Sequence, residues 1–273
     1  MSTAPAKSPD VLPKQETPED DIHLSLREHL MELRKRVKWA VIWLCVGFLG
    51  CYNYSQQIFH FMMVPVLRAL PEGEQALHYS SATEPFFIQL KVALYGGLFA
   101  ASPAILWQVW AFIAPGLYRS ERSKILPFVV AATAFFVTGA AFCYLVILPP
   151  AFGFLIQSAG LDIKPVLMMD EQLGLVMSLL LAFGIIFELP LVLTFLAMVG
   201  IVDHKFLSKY RRHAIVLNTL IAAIVTPTGD PFNLALMAVP MMACYELGVL
   251  GAWVFGKKSM EPGAEPSVLK IAK

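Results

Sequence analysis

The sequence predicts an all-α integral membrane protein with six transmembrane helices, a short amphipathic N-terminal helix, and short fifth and sixth helices. Hydrophobic residues make up 57% of the 273 residues and charged residues 15%, with a mean hydropathy of +0.64. Soluble domains carry about half apolar and about a quarter charged residues. In addition, several apolar runs are long enough to cross a bilayer, and basic residues concentrate in alternate connections between them.

The chain divides into three regions. Residues 1–21 carry prolines and mixed charge with almost no apolar periodicity, which predicts a disordered cytoplasmic tail. They lack the basic start followed by an apolar core that marks a cleavable signal peptide. Residues 22–256 form the predicted six-helix membrane domain, and residues 257–273 form a second cytoplasmic tail.

The segment 23–36 is predicted to be an amphipathic helix lying at the membrane surface. Its apolar residues recur at helical spacing, at Leu26, Leu30, Leu33 and Val37. Glu32 and Arg36 share the polar side at an i,i+4 step. The simplest interpretation of that pair is a structural ion pair, which contributes only about 0.2–0.5 kcal/mol.

Six crossings follow, and the basic residues set their direction. The crossings are predicted at residues 38–60, 87–110, 125–148, 171–199, 213–226 and 232–255. Fourteen lysines and arginines flank the first helix, the second and fourth connections and the end of the last helix, whereas three lie on the other side. This positive-inside bias predicts that both termini and the second connection face the cytoplasm.

The two long outer connections, residues 61–86 and 149–170, are predicted to form a partly ordered cap. Both contain prolines, and the second has more apolar side chains than a free loop would carry. Glu84 follows serine and threonine residues and precedes a proline, which indicates a carboxylate that caps or hydrogen-bonds within this cap.

The apolar runs of the fifth and sixth helices are too short to cross the hydrocarbon core of a bilayer. Residues 214–225 and 234–245 give 12 residues each, about 18 Å, whereas the hydrocarbon core is about 30 Å thick. We expect a thin edge where another membrane helix docks, with Thr226, Asp230 and Glu246 at that edge. The alternative is that these polar residues simply lie in the headgroup zone.

Glu188 lies deep in the predicted fourth helix, two residues before Pro190. A carboxylate in lipid is costly, so its side chain should face the protein interior. Pro190 leaves a carbonyl about one turn earlier without its amide donor, and a protonated Glu188 could donate to such a group. A proton relay and an internal hydrogen bond both remain open.

The connection after the second crossing holds a single acid among bases. Trp107 and Trp110 are interpreted as an aromatic belt, and Pro115-Gly116 ends the helix. Glu121 then lies among Arg119, Arg122 and Lys124. Either Glu121 pairs with these neighbours, or it is an acid at the membrane surface that binds a cationic partner.

The sequence gives no reason to expect an enzyme. It contains no His-Glu-x-x-His, Gly-x-Ser-x-Gly, phosphate-binding glycine loop or Cys-x-x-Cys motif. We therefore expect no catalytic residue, metal or cofactor, and no binding of nucleic acid.

Four stretches in register carry a resemblance to a known family. They are His29-Leu-Met-Glu-Leu-Arg-Lys-Arg36, Gln108-Val-Trp-Ala-Phe-Ile-Ala-Pro-Gly-Leu-Tyr-Arg-Ser-Glu-Arg122, Phe183-Gly-Ile-Ile-Phe-Glu-Leu-Pro190 and Thr226-Pro-Thr-Gly-Asp230. Together, over about residues 22–256, they resemble the TatC family, the six-helix receptor subunit of the twin-arginine protein translocase.

The resemblance implies a receptor for export tags on folded cargo. Glu32 and Glu121 would bind the consecutive arginines of the signal peptide, because a guanidinium makes a forked contact that a lysine cannot. Arg34, Phe112 and Arg122 would surround these acids.

The resemblance also implies the assembly and its location. Glu188 would lie in a concave interior. The fifth and sixth helices would receive single-helix subunits of the TatA and TatB type. The chain would form a homo-oligomer within this larger complex in the bacterial inner membrane. The protonmotive force would drive transport. A proton-coupled transporter of small solutes is the alternative, although the paired broken helices and internal repeats typical of that class are not found here.

Overall fold

The computed structural model describes residues 26–71, 76–113, 125–158, 166–226 and 230–256, and all that follows concerns those residues. The described chain is helical apart from turns and one isolated β-bridge. The helices are α1 (Leu26–Tyr52), α2 (Ser55–Ala69), α3 (Glu84–Ile113), α4 (Ile125–Phe142), α5 (Leu148–Ser158), α6 (Met169–Ile186), α7 (Leu189–Val199), α8 (His204–Lys209), α9 (Arg211–Val225) and α10 (Pro231–Phe255). A five-residue π-helical turn, Cys143–Ile147, joins α4 to α5.

Four helical stretches in the described ranges are long and apolar enough to cross a membrane: Glu84–Ile113, Leu126–Ser158, Met169–Val199 and Pro231–Phe255. A fifth candidate is the pair formed by α1 and α2, which meet at a bend of 87°. Helix α9 has 15 residues, about 22 Å, so it is short for a bilayer, as expected for the fifth crossing. The all-helical membrane fold is therefore confirmed.

Two expectations about the first helix are wrong. The amphipathic segment is not a separate helix, because α1 runs without interruption from Leu26 to Tyr52. The first crossing was also expected to continue to residue 60, but the helix ends at Tyr52 and α2 departs at 87°. No helix-breaking residue separates Arg36 from the apolar run, so nothing stops the helix at the membrane surface.

The sixth helix is not short. Its apolar run was taken to end at Tyr245, but α10 extends to Phe255 and has 25 residues in total. Glu246 does not end it, because its carboxylate forms an ion pair with Arg211 at 2.8 Å and the sequence beyond it is again apolar.

The largest buried cluster joins α2, α3, α5, α6, α9 and α10, with Phe183, Met63 and Leu173 fully buried within it. A smaller cluster packs α3 against α4 and α7. There the indole of Trp110 is 5% exposed and meets the ring of Phe195 edge-on, at 4.9 Å between centroids. Trp110 is therefore a core residue and not part of an aromatic belt, whereas Trp107 is 40% exposed.

The two outer connections meet, as expected of a cap. The His78 amide donates to the Leu167 carbonyl at 2.9 Å, and the Met169 amide donates to the His78 carbonyl at 2.8 Å. The carboxylate of Glu84 accepts from the amide and hydroxyl of Ser80, both at 2.7 Å. The predicted role of Glu84 is thereby confirmed.

Helices α1 and α3 run antiparallel in close contact. A Cβ placed on Gly97 would lie 2.7 Å from the carbonyl carbon of Gly47, so the two backbones touch where these glycines face each other. Any larger residue at either position would force the helices apart. This contact fixes the register between the beginning of α1 and the end of α3.

Candidate functional site

Glu32 lies on the side of α1 that faces the end of α3. Its carboxylate Oε1 accepts from Nη2 of Arg36, one turn further along α1, at 3.2 Å. Both side chains are partly covered, with 24% of Glu32 and 29% of Arg36 exposed. The structural ion pair suggested by the spacing is therefore present.

Gln108 of α3 completes this group. Nη1 of Arg36 donates to Oε1 of Gln108 at 3.4 Å, which joins the two helices through one guanidinium. Arg36 precedes Gly47 by eleven residues, and Gln108 follows Gly97 by eleven. The glycine contact and the polar contact thus belong to one register between two antiparallel helices.

The same register brings Phe112 level with Glu32. Phe112 follows Gln108 by four residues on α3, and Glu32 precedes Arg36 by four on α1, so each lies one turn further toward the same end. Phe112 is half-buried. Two of the predicted site residues therefore lie at the same height on neighbouring helices.

Arg34 is not brought to this face. It is exposed, and two residues along an α-helix turn the side chain by about 200° from Glu32. Glu121 and Arg122 lie outside the described residues. The described helices on either side of their connection end at Ile113 and begin at Ile125.

Glu188 lies at a break in the fourth crossing. Helix α6 ends at Ile186 and α7 begins at Leu189, with Pro190 in the first turn of α7. The Glu188 backbone carbonyl accepts from the amide of Val192 at 2.9 Å. Its side-chain Oε1 is buried and has no hydrogen-bond partner among the described residues. The internal hydrogen bond, one of the two alternatives, is therefore not seen for this oxygen.

Thr226 and Asp230 each make a hydrogen bond to the helix that they adjoin. Thr226 is 7% exposed, and its hydroxyl donates to the Ala222 carbonyl at 2.6 Å. Asp230 caps α10, since its Oδ1 accepts from the Asn233 amide at 2.7 Å. The side chain of Thr226 therefore does not lie on the surface of this edge, and that of Asp230 is partly buried.

Glu246 is exposed on α10 beside Arg211, the first residue of α9. The two line an open groove of about 620 Å³ together with His204 and Ser208 of α8. Its remaining wall is mainly apolar and belongs to α10, including Leu250 and Trp253, which are 54% and 65% exposed. The groove therefore combines charged and polar groups with exposed apolar side chains.

Sequence reasoning missed Gln108 and Arg211 as partners of the site residues. Gln108 stands at the start of one of the four recognised stretches, but no local pattern assigns it a contact 72 residues away in the chain. Arg211 was counted only among the basic residues that orient the protein.

The comparisons with known proteins identify the family. The family profile described as Sec-independent protein translocase protein (TatC) matches residues 28–240. The chain belongs to the TatC family. Among its relatives, the TatC protein of Desulforapulum autotrophicum is 40% identical over 249 residues, which cover 90% of this chain and 92% of that protein.

Other TatC proteins are similar over nearly the same range. The protein of Koribacter versatilis is 39% identical over 238 residues, covering 86% of this chain and 88% of that protein. The protein of Escherichia coli is 37% identical over 221 residues, covering 81% and 85%. These matches describe a transport protein and not an enzyme.

The fold matches as well. A crystal structure of the twin-arginine translocase receptor TatC in the detergent DDM superposes with a TM-score of 0.74 at 35% identity, covering 85% of this chain and 100% of that chain. A second crystal structure of that receptor gives a TM-score of 0.73 at 35% identity, covering 84% and 99%.

Proposed function

We propose that this TatC protein is the receptor subunit that binds twin-arginine signal peptides of folded cargo and recruits single-helix partners for export. Glu32 and Glu121 each bind one arginine of the tag. Phe112 and Arg122 flank the two acids, and Arg34 contributes positive charge at the adjacent surface of α1.

The observation that carries this proposal is the contact between Glu32 and Arg36. The carboxylate already holds a guanidinium at 3.2 Å while 24% of the Glu32 side chain remains exposed. A site that holds a guanidinium within the chain has the geometry to hold one from outside it. Charge-assisted contacts of this kind favour arginine, whose planar fork offers several donors in fixed directions.

Glu121 supplies the second acid of the proposal. It stands eight residues after the end of α3 and four residues before α4 begins. The α3 end is the part of the molecule that carries Phe112 and lies level with Glu32. A short connection from that end keeps Glu121 within reach of a peptide bound at Glu32.

The docking of partner helices is proposed for the edge formed by α9 and α10. Val216, Leu220 and Ile224 recur at one-turn spacing on α9 and are 69%, 56% and 75% exposed. The groove beside Arg211 and Glu246 offers a second surface, lined by α8, α9 and α10. Single-helix subunits of the TatA and TatB type are the partners we propose here.

The basic residues support the proposed orientation. The bias of fourteen against three favours a multi-pass protein of the bacterial inner membrane with both termini in the cytoplasm. In this orientation Glu32 lies on the inner side, where a newly made cargo protein presents its tag. The protonmotive force drives export, and several copies of the chain assemble in one complex.

The test is crosslinking of the full-length protein to a twin-arginine signal peptide and to its twin-lysine version. We expect Glu32→Gln to weaken binding about ten-fold or more, because hydrogen bonds to charged groups contribute about 1.5 kcal/mol or more. Glu121→Ala should abolish crosslinking while leaving the protein inserted. Glu171→Gln, an exposed acid at the start of α6, is the matched control. Equal crosslinking of the twin-lysine peptide would contradict the proposal.

A further inference from the structure

Glu32, the acid proposed to bind the export tag, already forms an ion pair with Arg36 of the same chain. Nη2 of Arg36 lies 3.2 Å from Oε1 of Glu32. An incoming guanidinium that makes a forked contact to both oxygens of Glu32 therefore competes with one of the same chemistry. Binding is then an exchange between two arginines for one carboxylate.

Gln108 can hold the guanidinium of Arg36 after it has left Glu32. Nη1 of Arg36 donates to Oε1 of Gln108 at 3.4 Å, so Arg36 holds the acid with one nitrogen and the amide with another. A guanidinium has five N–H donors in a rigid fork and can keep one partner while it releases the other.

Arg36 is held in this position by the packing of α1 on α3. The close contact of Gly47 with Gly97 fixes the register that brings Arg36 level with Gln108. The Arg36 side chain is 29% exposed, so most of it is covered and its conformational freedom is limited. An arginine free in solvent would compete for Glu32 only weakly.

We propose that Arg36 is an internal competitor for the tag-binding carboxylate of Glu32. It thereby sets the minimum affinity that an export tag needs in order to bind. The inference rests on the proposed function of Glu32. In the resting protein Arg36 occupies Glu32. When a tag binds, its arginine takes Glu32 and Arg36 stays on Gln108.

This competition acts equally on every cationic tag. It lowers the affinity for twin-arginine and twin-lysine peptides by the same factor and leaves their ratio unchanged. The effect on export nevertheless differs between the two peptides. A lysine is a single point charge that binds the carboxylate less specifically, so the twin-lysine peptide starts from a lower affinity. An already weaker tag then falls below the affinity that export requires.

The test is a titration of labelled twin-arginine peptide into full-length protein in detergent at low salt. Arg36→Gln should raise the affinity about two- to five-fold, the range that corresponds to partly exposed ion pairs. The twin-lysine peptide should gain by a similar factor. Arg36→Lys, which keeps the charge but loses the fork, should give a smaller rise.

Gln108→Met should change the affinity in the opposite direction. Without the amide oxygen, Arg36 keeps Glu32 as its remaining described partner and competes more strongly. The double variant Arg36→Gln with Gln108→Met should bind like Arg36→Gln alone, because Gln108 acts only through Arg36. A purely structural role for Arg36 predicts a loss of affinity in both single variants.

Lys38→Gln is the matched control for charge. Lys38 is exposed on another side of α1 and its removal takes away the same charge from the same helix. Arg36→Gln must raise the affinity beyond this control, at unchanged thermal stability. If Arg36→Gln binds the peptide no more tightly than Lys38→Gln does, while Glu32→Gln still binds it weakly, Arg36 is not a competitor but the proposed function stands. If Glu32→Gln binds as tightly as the unaltered protein, the proposed function itself is wrong.

Discussion

At the scale of single residues, Glu188 is a carboxyl group at a break inside a membrane crossing. Pro190 in the first turn of α7 removes one amide donor there, and α6 and α7 end and begin on either side of the acid. One of its carboxyl oxygens is buried without a hydrogen-bond partner in the described part of the chain. A proton relay is the alternative that we test at this position.

Glu188→Gln should retain tag binding and lose export several-fold, since the amide keeps the shape of the side chain but cannot ionise. Peptide crosslinking and transport into inverted vesicles measure the two properties separately. Glu188→Asp, which keeps an ionisable group, should recover part of the transport. Full export by the Gln variant would exclude an obligatory ionisation at this position.

Sequence reasoning predicted the partner of Glu32 on its own helix but not the residue of α3 that joins the pair. The i,i+4 spacing of Glu32 and Arg36 was enough to predict their pairing, because both lie on one helix. The exposed position of Arg34 follows from the same helical geometry once α1 is known to be continuous. The contact with Gln108 depends on how two distant helices pack, and no local pattern contains that information.

At the scale of the helices, α10 begins at an N-cap formed by Asp230. Asp230→Ala removes the acceptor for the Asn233 amide at 2.7 Å, at a cost of about 1 kcal/mol. For a chain of this size the thermal midpoint should fall by about 2–4 °C, measured in detergent. Asp230→Asn retains a good capping side chain and should stay near the unaltered midpoint. Equal midpoints for both variants would mean that the cap contributes nothing.

Helix positions were predicted well, whereas helix ends were not. Apolar runs predicted the long crossings, because burial in lipid requires them whatever the tertiary structure. The same signal failed at α1 and α10, where the backbone stays helical past charged residues. At Glu246 the charge is met by Arg211 from another helix, and a sequence pattern does not show such a partner.

At the scale of the whole molecule, the thin edge at α9 is the surface we assign to partner helices. We expect Leu220→Cys, in a Cys45→Ala background, to form a disulfide with a co-expressed single-helix subunit carrying a cysteine at matching depth. Val130→Cys on α4 is the matched control, since it is 62% exposed compared with 56% for Leu220. Crosslinks of equal yield at both positions would show that the partner has no preference for this edge.

The touching backbones of Gly47 and Gly97 have a consequence for the membrane around the protein. This contact lies eleven residues, about 16 Å, from Arg36 along α1. Because the two helices cannot slide past each other there, a thicker or thinner bilayer tilts them as one body. We therefore expect the spacing between Glu32 and the end of α3 to stay the same when the lipid composition changes, and with it the tag binding that we propose for Glu32.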